Sequence, residues 1–76
     1  MSFDESRLRE LQAALRVKMA DNKAISDSFK VENDTVIVST EQKSAFDRNM
    51  SDIREIKSLI DGLEQMRQVD GWSSEP

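Results

Sequence analysis

The chain has 76 residues, 34% of them charged and 37% hydrophobic, with a formal net charge of −4. That length holds one small domain with a shallow core, and it excludes the large enzyme folds. The absence of Cys and His removes disulfides, thiol and imidazole chemistry and the usual zinc ligands.

The first element is predicted as a helix over about residues 5–30. Asp4 or Ser6 is its N-cap candidate, and Asp4 and Glu5 favour the positive end of the helix dipole. At 100° per residue Leu8, Leu11, Leu15 and Met19 share one stripe, which Asn22, Ile25 and Phe29 continue. Lys18 and Asn22 interrupt that seam, and Ser26-Asp27-Ser28 are weak helix formers, so a bend or frayed turn is expected over residues 21–28. Residues 31–38 are predicted as an extended connector. Glu32-Asn33-Asp34 signals a turn, and the β-branched run Thr35-Val36-Ile37-Val38 prefers extended geometry. The connector's alternate side chains are expected to cover the open end of the helix pair. A lone edge strand pairing with another chain is the weaker alternative.

Ser39-Thr40-Glu41-Gln42 reads as a capping box, in which the Ser39 hydroxyl accepts from the Gln42 amide and the Gln42 side chain returns to the Ser39 amide. A second helix follows over about residues 39–68, with Phe46, Met50, Ile53, Ile56, Ile60 and Leu63 spaced three and four apart. The expected architecture is therefore all-α: two long helices in a coiled-coil-like antiparallel hairpin over residues 1–68, joined by the short connector. The two stripes form its packing or self-association face. Residues 69–76 lack periodicity and are expected to be a flexible tail or linker, in which Trp72 is either incidental or an anchor on a partner.

Chemical motifs do not emerge. Phosphate loops, dinucleotide glycine clusters and nucleophile elbows are absent from the sequence. Asp21 to Glu32 has the length of a calcium loop, but Lys23, Ile25 and Ser26 occupy positions that need oxygen ligands and Gly. Carboxylates one turn apart, such as Asp52 and Glu55, read as a solvated helix face. No catalytic, cofactor or metal residues are assigned, and no enzyme activity is expected. One pattern stands out: Arg9, Arg16, Lys23 and Lys30 recur every seven residues as a basic ridge beside the apolar stripe. They are either ordinary solvated cations or a heptad flank that steers pairing with Asp47 or Asp61 on a neighbouring helix. Interleaved acids and missing aromatics argue against nucleic acid as a partner. The sequence holds no run of the ~20 apolar residues that a membrane span requires, and its acidic N-terminus is unlike a secretory signal, so a cytosolic product without membrane contact is expected.

One order of residues goes beyond physics. A Leu-rich helix, Arg7-Leu8-Arg9-Glu10-Leu11-Gln12-Ala13-Ala14-Leu15, precedes a polar connector. Val38-Ser39-Thr40-Glu41-Gln42-Lys43-Ser44-Ala45-Phe46-Asp47 then leads into Ile53, Ile56 and Ile60. Over roughly residues 7–68 this resembles the N-terminal scaffolding segment, or delta domain, of tailed-bacteriophage major capsid proteins. Ser39 stands where that pattern usually has Thr, and Val38 where it has Leu. The resemblance implies a structural role in the interior of an immature viral capsid assembled in the host cytoplasm. There the segment would guide capsid subunits into a procapsid as part of a homo-oligomer, with other copies of itself and capsid subunits as partners. A maturation protease would then remove it, and the native chain would continue beyond Pro76 into a β-rich shell domain. The rival class is a stand-alone helical-hairpin adaptor or regulator that binds a partner protein in its apolar groove.

Overall fold

The computed structural model describes residues 3–73, with side chains through residue 71 at the C-terminal end. The chain is all-α in architecture: α1 (Glu5–Asp27) and α2 (Thr40–Ser73) pack against each other and are linked by a small antiparallel ribbon of β1 (Lys30–Glu32) and β2 (Thr35–Ile37). Its dimensions are 65 × 19 × 15 Å, which is a single layer two helices wide.

Helix α1 starts at Asp4, whose carboxylate accepts from the Ser6 amide at 3.0 Å and from the Ser6 hydroxyl at 2.7 Å. It runs unbroken through Asn22 and ends three residues earlier than expected, with Ser28 as C-cap. The Ser28 hydroxyl donates to the Ile25 carbonyl, one of the orphan acceptors of the last turn. The weak helix formers at residues 26–28 thus stop the helix rather than bend it.

The connector departs most from expectation. Instead of lying over the open end of the helix pair, it folds on itself, pairing Lys30 with Ile37, Val31 with Val36 and Glu32 with Thr35. Asn33 and Asp34 occupy positive φ, 50° and 65°, as a two-residue type I′ hairpin turn demands; their short polar side chains tolerate that region better than most. Every residue of both strands is exposed. The neck below the ribbon is where it joins the helices. The Ser39 amide donates to Gln42 Oε1 at 2.8 Å, and the Gln42 amide donates to Ser39 Oγ at 3.0 Å, so the capping box is complete. Gln42 Nε2 also donates to Ser28 Oγ at 2.9 Å, tying the end of α1 to the start of α2. Phe29 and Phe46 meet edge-to-face beside it, with ring centroids 5.6 Å apart.

Helix α2 extends to Ser73, so residues 69–73 are helical and not a flexible tail. Asp70 on that last stretch accepts from the Phe3 amide at 3.1 Å, and Arg67 reaches Glu5 at 3.4 Å, so the start of α1 is tied to the last turns of α2. The side chain of Trp72 and residues 74–76 lie outside the described residues. Gly62 lies inside α2, and a Cβ there would meet nothing within 4 Å. Gly62→Ala is therefore expected to raise stability by about 0.5–1 kcal/mol, by reducing unfolded-chain freedom and restoring helix propensity. A chemical-denaturation midpoint unchanged or lower in the variant would contradict this placement.

Candidate functional site

The core is thin. Leu8 at 3% and Ile60 at 7% exposure are its buried apolar residues. Leu11, Leu15, Phe46, Met50, Ile53, Ile56 and Leu63 are half-buried along the same seam, so the helical spacing placed them on the inner side without enclosing them. Met19 is the exception at 54% exposure. It lies on the rim of an open groove of about 330 Å³ that it shares with Asn22, Lys23, Ser26, Phe46, Met50 and Ile53. A single layer of two helices has no third element to close such a groove, which is why a seam residue by spacing is a surface residue in the fold.

Asn22 sits within this apolar lining at 5% exposure, and its Oδ1 is buried with no hydrogen-bond partner. A buried amide oxygen without a donor costs stability, and such atoms are uncommon in folded proteins. Sequence reading marked Asn22 as an interruption of the seam; it gave no sign that the oxygen would be orphaned.

Of the two readings of the basic ridge, the described ion pairs favour solvated cations over pairing across the helices. Arg9 bonds Glu5 at 3.6 Å and Lys23 bonds Asp27 at 2.7 Å, both one turn away on α1. The predicted acidic partners are likewise taken on their own helix, Asp47 by Lys43 at 2.9 Å and Asp61 by Lys57 at 3.8 Å. Lys30 lies on β1, off the helix altogether. A carboxylate one turn away is always within reach, whereas a cross-helix partner must also match in height and angle. Among the described residues, the ion pairs that do cross the hairpin are Lys18–Asp52 at 3.0 Å and Arg67–Glu5 at 3.4 Å. Lys18 thus reaches over the seam it interrupts.

Among the described residues, two groups have shifted proton affinities. The Asp4 carboxyl is held below its ordinary value of 3.8, first by the Ser6 hydroxyl and then by the Ser6 amide; the Lys23 ammonium is raised by its hydrogen bond to Asp27. For Asp4 the folded chain prefers the ionised form. Its cap is therefore fully formed above pH 3.8 and is lost as pH falls through the depressed folded value. The amide resonance of Ser6 is expected to titrate with a midpoint below 3.8 and to stop titrating there in Asp4→Asn. A midpoint at or above 3.8 would contradict the cap.

Among the described residues no group of three or more Asp or Glu side chains is arranged to hold a metal ion. None of the helices there is long and apolar enough to cross a membrane. The candidate site is the open groove between the two helices, lined by Met19, Asn22, Lys23, Ser26, Phe46, Met50 and Ile53. No protein-family model, curated protein or solved structure matches the chain.

Proposed function

We propose that the chain is a structural assembly module, acting like the internal scaffolding segment that guides capsid subunits into a procapsid and is then removed by a maturation protease. Its partners in this reading are other copies of itself and capsid subunits, within an immature shell in the host cytoplasm. The observation that carries the proposal is the single-layer hairpin with its groove unfilled: a helix pair with so little core stabilises itself further only by packing on something else. Two properties suit a guide that is later discarded. Its contacts are shallow enough to be reversible, and an element with few buried residues opens locally and is digested readily. The resemblance of residues 38–47 to the capsid segment points the same way, and the completed Ser39–Gln42 box gives that stretch its helix start.

The test is the intact mass of the gene product at its source, before and after particle maturation. The expected result is a longer chain carrying this sequence at its N-terminus in immature particles, with the segment released or lost from mature ones. A free 8.7 kDa product unconnected with any particle would overturn the proposal and leave the adaptor reading, in which the same groove receives a helix of another protein.

A further inference from the structure

We propose that the outer edge of β1 pairs with β1 of a second copy, antiparallel and centred on Val31, so that two ribbons join into one four-stranded sheet. The inference rests on the assembly reading for its purpose and deepens it by naming a contact between copies. The ribbon is an unfinished sheet. Every residue of its two three-residue strands is exposed, with Val31 at 67% and Val36 at 60%, and neither helix packs on it. Two strands alone are marginal in water, and further strands are what stabilise them. The two-residue turn at Asn33-Asp34 makes Glu32–Thr35 and Lys30–Ile37 the hydrogen-bonded pairs and leaves Val31–Val36 as the non-hydrogen-bonded pair between them. The amide and carbonyl of Val31 are therefore turned to the free edge, where they can exchange two hydrogen bonds with another strand.

Charge selects the occupant of that edge. In the antiparallel register centred on Val31, Lys30 of each copy lies opposite Glu32 of the other, so two-fold symmetry makes the opposite-charge pair twice. These are non-hydrogen-bonded positions, where facing side chains come closest. Shifting one strand by two residues sets Lys30 against Lys30 or Glu32 against Glu32, and parallel pairing in register does both. Among the described residues, neither Lys30 nor Glu32 is taken by an ion pair within its own chain. The order Lys-Val-Glu is thus its own complement. A foreign strand would have to bring the same order, whereas every copy of this chain carries it. The edge of β2, Thr35-Val36-Ile37, has no charge with which to fix a register. On one face of the joined sheet Val36 and Val31 of each copy form a row of four, which covers the two most exposed apolar side chains of the ribbon. The contact is far smaller than the roughly 800 Å² per partner of a standard interface. It therefore acts between copies already held close, where effective concentrations are millimolar, and it releases when they part.

The test follows the amide resonances of the full chain by NMR from micromolar to millimolar concentration. The Val31 amide is expected to shift with concentration while those of the helices hold still. A mixture of labelled and unlabelled chains should show the Lys30 Hα of one copy close to the Glu32 Hα of the other. Lys30→Glu and Glu32→Lys, both at exposed ribbon positions, should each weaken self-association about 10-fold or more with the far-UV helical signal unchanged. Mixing the two variants should restore it, because each strand then brings the charges that the other lacks, and making both exchanges in one chain should restore it as well. Glu32→Lys also separates pairing from overall repulsion. It moves the net charge of −4 toward zero, which would strengthen an association governed by net charge, whereas the pairing requires it to weaken. A chain monomeric at millimolar concentration, shifts centred on the helices, single variants that associate like the parent or a mixture that fails to associate would each overturn the inference. None of these outcomes depends on the source mass that tests the scaffolding reading, so one proposal can fail without the other.

Discussion

Leu8→Ala is expected to lower the stability of the chain by about 2–4 kcal/mol, and Ile60→Ala by a similar amount. These are the apolar side chains that the fold encloses, at 3% and 7% exposure. They lie toward the end of the molecule where Phe3 bonds Asp70 and Arg67 bonds Glu5. Truncation there leaves a void that a thin layer can only partly collapse upon, and a domain of this size has roughly 3–5 kcal/mol in total to lose. The natural control is Leu59→Ala, on the same helix but 51% exposed, for which a change within about 0.5 kcal/mol is expected. Urea denaturation at one fixed protein concentration reads all three, since the midpoint of a self-associating chain moves with concentration. Equal costs at Leu8 and Leu59 would mean that the helices are not packed through the face described.

The helices were legible because their signals are local. Spacings of three and four put Leu8, Leu11, Leu15, Ile53, Ile56, Ile60 and Leu63 on the inner side, and the Ser39–Gln42 box needs only residues three apart. The ribbon was half legible. Asn33-Asp34 announced a turn, but β1 is Lys30-Val31-Glu32, too short and too polar to show alternation, and it adjoins the end of a helical pattern. Charge pairing was the least legible. Heptad spacing says that Arg9, Arg16 and Lys23 share a face, but it does not say which carboxylate each will choose; Glu5 and Asp27 on the same helix captured two of them. The cross-helix pair Lys18–Asp52 had a readable hint, a cation within an apolar stripe, but its partner depends on the relative height of the helices. The exposure of Met19 follows from a property no single stripe reveals, the number of layers in the fold.

Asn22→Leu is expected to stabilise the hairpin by about 1–3 kcal/mol, the usual penalty of a buried unsatisfied polar group. Within a single chain Asn22 Oδ1 has no donor and is almost wholly removed from water, and Leu of comparable size fills the same space without a polar atom. Urea unfolding reads the effect. A destabilised Asn22→Leu would show that the oxygen is satisfied in solution, by water or by a neighbouring side chain. Asn22→Asp extends the test, because a carboxylate at this depth is tolerated only when protonated. That variant should gain stability as pH falls toward the carboxylate range and lose it as pH rises, whereas the stability of Asn22→Leu should show no such added pH dependence.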